Sequence, residues 1–368
     1  MKHFKKFVFV AGAVAVSATG ATLPSDAQAG AYDGKTVTVL IGRPAGSGAD
    51  LTVRAFLKYW EKAIPGNPKL VGKQQTKGGG LGIYNLIAKE KPDGMTMIFT
   101  PYNPIPQILG DKKMRADFTK MGFVGGLTNP SLTYGSTTVI KNRNDVAGMK
   151  DAKLGGQRPH HRFDLLGRVS LDMAGAKYAY VTGFKGSKKV YNSLLRGEIT
   201  LQTVGFNVYS AYAQPNLASK GKAIPLWYHP TTTADGSYRD LSSTFGDIPS
   251  FPDFFKAKTG KAPSGELYEL YQWMAQTLNG MSYIAMLPPG TPENILNDLR
   301  TGFQKVVNDK AYLADQKKMF GFNLPSVDAK TGAFYIGMLG KVPPERLKQL
   351  NEYINEGKKS VMKKKKKS

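Results

Sequence analysis

Pro44-Ala45-Gly46-Ser47-Gly48-Ala49-Asp50 is the stretch whose residue types could hold a ligand. Small residues let an anion approach the backbone, and a helix starting behind them would aim its unpaired N–H groups at that anion. Ahead of the loop, residues 36–41 are a β-branched run that reads as a strand. Behind it, Val53, Phe56, Leu57, Trp60 and Ile64 share one face of a helix starting at about Leu51, with Asp50 in the N-cap position. A tight strand-to-helix turn with no ligand fits the same residues. A second glycine loop, Lys77-Gly78-Gly79-Gly80-Leu81-Gly82, separates a short strand at 69–71 from a helix carrying Ile83, Leu86 and Ile87. Two such units in succession predict a parallel sheet with both loops at its carboxyl edge, where open α/β sheets take ligands. Tyr102 and Asn103, just past a strand at 95–100, fall on that edge too, or else form a turn bounded by Pro101 and Pro104.

Other chemistry finds little support. Ser219-Lys220-Gly221-Lys222 fits S-x-x-K, and Lys258-Thr259-Gly260 and Lys330-Thr331-Gly332 fit K-T-G. The S-D-N element of penicillin-recognising serine enzymes is missing, and Ser219 lies too close to Lys258 for that fold. There is no G-x-S-x-G elbow, Walker loop or H-E-x-x-H. The neighbours His160 and His161 would point opposite ways in an extended segment, so no metal site is expected.

The elements that must position these loops fit a chain of 368 residues, long enough for two lobes. Hydrophobic residues make up 41% and charged ones 21%, a globular balance, and strand-like and helix-like stretches alternate, which favours the α/β class. The formal net charge of +24 raises nucleic acid or an anionic surface as partners. Part of that excess sits at the two ends, however, and the interior Lys and Arg are spread out, so no nucleic-acid partner is expected. Without cysteine there is no disulfide, thiolate metal site or cysteine nucleophile. At the front, Lys2, Lys5 and Lys6, then the apolar run 7–16, then Ala27-Gln28-Ala29 read as a secretory signal over 1–29. The mature chain is expected to begin near Gly30, in the periplasm. Strands are expected at Val139-Ile140, at 178–181 and at 199–204, and a helix at 165–174. A further helix is expected to be capped by Thr291, and a last one to start near Pro344. The lysine run within 360–368 reads as a disordered tail.

In order along the chain, these landmarks resemble the substrate-binding proteins of tripartite tricarboxylate transporters, the Bug family. That pattern is a strand, then P-x-G-G-x-x-D-x-x-x-R, G-A-G-G-x-x-G and P-D-G-Y-T-L. Pro44, Gly46, Asp50 and Arg54 match the first landmark, Gly79, Gly80 and Gly82 the second, and Pro92, Asp93, Gly94 and Thr96 the third. Asp117-Phe118 with Val124, Phe184-Lys185-Gly186-Ser187 and Leu287-Pro288-Pro289-Gly290-Thr291-Pro292 continue the resemblance. Ser47 replaces a glycine, Phe184 a tyrosine, Arg43 an aromatic residue and Thr200 an acidic one.

The resemblance implies a two-lobed α/β periplasmic-binding-protein fold of type 2, with a ligand cleft between the lobes. Lobe I would comprise 30–133 and 229–368, and lobe II 134–228. It implies a monomeric, non-enzymatic protein with no cofactor, which captures a small mono-, di- or tricarboxylic acid for a membrane permease; the alternative is an exported hydrolase with an unrecognised active site. Expected ligand contacts are Arg43, Ala45, Gly46, Ser47, Gly48, Asp50, Gly79, Gly80, Leu81, Tyr102 and Asn103 on lobe I. On lobe II they are Gln157, Arg158, His161, Lys185, Gly186 and Thr203. Arg43 and Arg158 are the candidates for direct charge pairing, and Asp50 is better read as a helix cap than as a partner for a carboxylate.

Overall fold

The computed structural model describes residues 31–77, 80–233 and 237–365. The expected signal at 1–29, Gly79 of the second glycine loop and the last lysines of the tail lie outside these. The strands are β1 (Thr36–Ile41), β2 (Lys69–Gln74), β3 (Thr96–Pro101), β4 (Gly122–Leu127), β5 (Ser131–Ser136) and β6 (Ala152–Gly155). They continue with β7 (Tyr178–Val181), β8 (Leu201–Gly205), β9 (Ala223–His229), β10 (Tyr283–Leu287) and β11 (Ser326–Val327). The longer helices are α1 (Gly48–Ala63), α2 (Leu81–Ile87), α3 (Arg162–Met173), α4 (Ser187–Leu195) and α5 (Phe251–Thr259). After them come α6 (Glu266–Thr277), α7 (Glu293–Val307), α8 (Lys310–Phe320), α9 (Ala329–Gly337) and α10 (Pro344–Lys365).

Two mixed sheets result, ordered β11-β4-β10-β3-β1-β2 and β7-β6-β8-β5-β9. In the first, β1 runs parallel to β2 and β3, while β10 is antiparallel to β3 and β4. In the second, β6 runs parallel to β7 and β8, and β5 is antiparallel to β8 and β9. The chain crosses between sheets at 128–130, directly from β4 into β5. Strand alternation feeds two cores on opposite faces. Val37, Val39 and Ile41 join one and Leu40 the other, and each core takes residues from both sheets.

Aromatic packing fixes α1. Phe56 meets Trp60, Phe99 and Tyr312 edge-on at centroid distances of 5.4, 5.2 and 5.3 Å. Gly302 lets α7 approach closely: a Cβ there would lie 3.0 Å from Trp60 Nε1, which donates to the Leu299 carbonyl at 3.2 Å. Helix α6 packs on α3, and α10 lies against β7, although both follow β9 in sequence. Arg168 of α3 donates to the Tyr353 carbonyl at 3.1 Å and lies over the Tyr353 ring at 4.2 Å, which ties α10 to the second sheet.

Three local expectations are corrected. Val139-Ile140 form a turn closed onto the Ser136 carbonyl, because Ile140 folds back into the core beside Gly135. Thr291 does not cap α7; its hydroxyl donates to the Pro288 carbonyl at 2.8 Å, and Pro292 takes the cap position. Helix α10 runs through Lys365, where the composition predicts disorder from 360. Lysine is a good helix former, and adding residues to an existing helix needs no new nucleus.

A buried polar chain runs across the second sheet. Thr203 Oγ1 lies 2.7 Å from Thr133 Oγ1, which lies 2.9 Å from His229 Nε2, and His229 Nδ1 is 3.1 Å from the Tyr271 hydroxyl. Burial pulls the His229 imidazole down to about 3, so it is neutral in the fold. The unfolded chain binds that proton near pH ~6.5 and the folded one does not, so stability is complete above pH ~6.5 and falls as the pH drops toward the folded value. The slope from this group approaches ~1.4 kcal/mol per pH unit. His229→Gln is expected to flatten the loss of stability between pH ~6 and ~4 in urea unfolding; an unchanged slope would mean that other groups cause it.

Candidate functional site

The carboxyl ends of β1, β2 and β3 share one edge of the first sheet, and antiparallel β10 begins there. In the second sheet β6, β7 and β8 end on a common edge where β5 begins. Because β4 passes into β5 through 128–130, the two edges meet at that crossing. Side-chain amides and hydroxyls tie it together. The Asn129 N–H donates to Ser282 Oγ at 2.7 Å, and Asn129 Nδ2 donates to Asn207 Oδ1 at 2.8 Å. Thr128 Oγ1 donates to the Gly280 carbonyl at 2.7 Å.

The first glycine loop is shaped by Asp50. Ser47, not Asp50, is the N-cap: its hydroxyl accepts from the Asp50 N–H at 3.3 Å, and α1 starts at Gly48. Asp50 is the third helical residue, and its buried carboxylate reaches back to accept from the Gly46 N–H at 2.9 Å. Its other oxygen accepts from Arg54 Nε and Gln74 Nε2, both at 2.9 Å. Serine thus caps the third-position N–H, while the acid holds the residue before the cap, and the Ser47 N–H itself donates to the Pro44 carbonyl at 3.2 Å. Burial alone would raise the carboxyl, but the bonds from Gly46, Gln74 and Arg54 hold it below the usual range. Both oxygens of Asp50 are therefore engaged inside its own lobe. The Gly48 and Ala49 N–H groups meet no acceptor among the described residues. The loop's base is pinned by the Gly42 N–H, which donates to Thr100 Oγ1 at 3.1 Å.

The second sheet repeats the device. Asp164 is the third residue of α3; its buried carboxylate accepts from the Arg158 N–H at 3.1 Å and the Tyr180 hydroxyl at 2.6 Å. His161 is the cap, with Nδ1 3.4 Å from both the Phe163 N and Asp164 Oδ1. A Cβ on Gly156 would fall 1.9 Å from Asp164 Oδ2, so the loop needs glycine there. Gln157 Nε2 lies 3.3 Å from His161 Nε2 and 3.4 Å from Ser187 Oγ, which joins this loop to the start of α4 behind Lys185 and Gly186. His160 is lowered by burial and by the neighbouring Arg158, His161 and Lys358 charges.

The other expected contacts divide clearly. Arg43, Ala45, Gly46 and Gly48 are exposed on one loop, and Asn103, Arg158 and Lys185 are exposed on theirs. Gly80, at φ +94°, starts α2 with Leu81 beside it. Tyr102 is buried against Phe118 at 5.5 Å, and its hydroxyl has no hydrogen-bond partner among the described residues. The Thr203 hydroxyl is engaged with Thr133, and a Cβ on Gly167 would lie 2.2 Å from it, inside the second lobe.

Three further residues converge at the crossing. Asn207 Nδ2 lies 3.7 Å from where a Cβ on Gly48 would stand, so the two sheets approach each other at the first turn of α1. Arg162, the first residue of α3, sends Nη1 to the Leu278 and Met281 carbonyls at 3.4 and 3.5 Å. Burial pulls its guanidinium down to about 10, opposed by Tyr283, and it remains a cation at neutral pH. Tyr283, at the start of β10, is buried, and burial raises its phenol against the charges of Arg162 and Arg43. Extending the carboxyl-edge rule to β6 and β8 would have pointed to Arg162 and Asn207; Tyr283 needed the sheet order. Among the described residues, no group of three or more His, Asp or Glu could hold a metal ion.

Asp50→Asn is expected to destabilise the fold by ~1.5–3 kcal/mol at pH 7, the range for hydrogen bonds to a charged group. A folded value below the ordinary one gives stability that is present above pH ~4 and lost as the pH falls through the folded value. The gap between variant and wild type in denaturant unfolding should therefore narrow at pH ~3. An equal gap at both pH values would show that the carboxylate's charge does not hold the loop.

No family profile and no curated protein matches the sequence. Solved structures do match. A TctC solute-binding protein from Polaromonas superposes with a TM-score of 0.61 at 17% identity, over 88% of this chain and 99% of that one. An R. palustris protein solved with adipate gives 0.60 at 14% identity, over 87% and 97%. The periplasmic binding protein BugD gives 0.56 at 15%, over 89% and 98%. Two α/β lobes joined at facing carboxyl edges, in this order and over nearly the whole of those chains, are the fold of the TctC and Bug periplasmic binding proteins.

Proposed function

We propose that this chain is an exported, periplasmic solute-binding protein that captures a small carboxylate between its lobes and delivers it to a membrane permease, without catalysing a reaction. The observation that carries this reading is the pair of buried acids, Asp50 and Asp164, each spent on its own loop. They shape the loops at the facing edges and leave the Gly48 and Ala49 N–H groups to an outside anion. Neutral donors at a helix start satisfy a carboxylate, and the helix dipole favours it. Asn207 adds an amide from the opposite lobe. The fold shared with an adipate-bound protein supports the ligand class. The 1–29 signal supports export, and the tricarboxylate-transporter resemblance supports a permease partner. Closure of the lobes would exclude water and strengthen each bond.

A thermal-shift screen against small mono-, di- and tricarboxylates tests the reading. An acid at ~100 times its dissociation constant should add ~2.7 kcal/mol of stability. Gly48→Val then tests the place. A Cβ at 48 meets nothing nearer than Asn207 Nδ2 at 3.7 Å, so the unliganded fold should keep its stability. Affinity should fall at least about tenfold, or ~1.4 kcal/mol. Gly80 is a poorer probe, because φ +94° strains any side chain there. Unchanged affinity in Gly48→Val would move the ligand away from α1.

A further inference from the structure

Arg162 is a cation without an acid. No carboxylate among the described residues lies within 4.0 Å of its guanidinium. Among the described residues its hydrogen-bond partners are the carbonyls of Leu278 and Met281, both at the long end of hydrogen-bond distance and both served by Nη1. The guanidinium carbon lies 4.5 Å from the Phe163 ring centroid, and no hydrogen bond among the described residues engages Nε or Nη2. A part-buried guanidinium held this loosely is under-satisfied, and its planar fork matches a carboxylate better than any other small group.

The surroundings do not supply that carboxylate. The acids at the two helix starts are already engaged: Asp50 accepts from Gly46, Arg54 and Gln74, and Asp164 from Arg158 and Tyr180, with His161 alongside. The other cation acting on the same Tyr283 hydroxyl is Arg43, which comes from the first lobe. The junction thus holds Arg162 from the second lobe and faces the loop that carries exposed Arg43, and none of the described acids pairs with Arg162. An ammonium placed there would meet cations and find no anionic partner, a cost of like charges at close range.

We propose that Arg162 is the specificity-determining residue of the binding site, selecting acids that carry a second carboxylate and no ammonium by pairing its guanidinium with that second carboxylate. The inference rests on the carboxylate-binding reading given above and adds to it the charge of the ligand and the residue that senses it. The first carboxylate goes to the start of α1 on one lobe, and the second to the start of α3 on the other. A diacid therefore bridges the lobes, whereas a monoacid occupies only one.

Calorimetric titration of the full chain with matched acids tests this. Succinate, glutarate and adipate are compared with butyrate, valerate and hexanoate, and with aspartate and glutamate. The wild type should bind its best diacid at least about tenfold more tightly than the monoacid of equal length and than either amino acid. Arg162→Gln should bring the diacid down to the monoacid's affinity while the monoacid is unchanged, and Arg162→Lys should recover part of the difference. Equal losses for monoacid and diacid in Arg162→Gln would make Arg162 a strut to the Leu278 and Met281 carbonyls and overturn the proposal. If Arg162→Gln does not fold, Arg162→Lys and the wild-type comparison decide it. A wild type that binds monoacids or amino acids as tightly as diacids overturns this inference and leaves carboxylate binding standing. A wild type that binds none of these acids overturns both.

Discussion

Each lobe of this protein depends on one buried carboxylate at the third position of a helix. Asp50 and Asp164 do the same work at α1 and α3: they reach back over the first turn and accept a backbone N–H from the loop that precedes the helix. A charge buried without partners would be costly, so each loop must bend until its N–H groups reach the oxygens. That requirement fixes the loop path, and the loop path fixes which helical N–H groups are left over. It also explains the small residues in both places. At Gly156 a Cβ would overlap Asp164, and at Gly46 the backbone adopts φ +71°.

The same economy governs the charge of the junction. A chain with net charge +24 could have placed a free acid between its lobes, yet the acids there are turned inward and spent. What remains at the crossing is amide, hydroxyl and guanidinium. Helix α10 adds to this from outside, since Arg168 holds it on α3 and Lys358 acts on His160 at the edge of the second loop. The returning chain thus braces the loop edge of the second sheet.

Much of the first lobe was legible. Residues 36–41 read as a strand because β-branched side chains fill a buried pleat, and two strand–loop–helix units in a row could only be parallel, which put both loops on one edge. The start of α1 was misplaced by three residues because Ser47 and Asp50 are both cap formers; only the geometry shows serine as cap and aspartate holding the Gly46 N–H ahead of it. Every residue of β8 is buried, so alternation assigns Thr203 no face. Arg162, Asn207 and Tyr283 come from three separated elements, and nothing local in the sequence shows that they meet. Asp164 left a fainter trace, an acid one turn into a helix that follows a glycine pair.

The central claim is that the first-turn N–H groups of α1 are the carboxylate's receptors. Nitrogen–proton NMR on the isotopically labelled protein, titrated in turn with succinate, glutarate and adipate, reads those groups directly. The Gly48 and Ala49 amide protons should move downfield and saturate together with calorimetric binding of whichever acid binds. Saturable binding that leaves both amides where they were would contradict it.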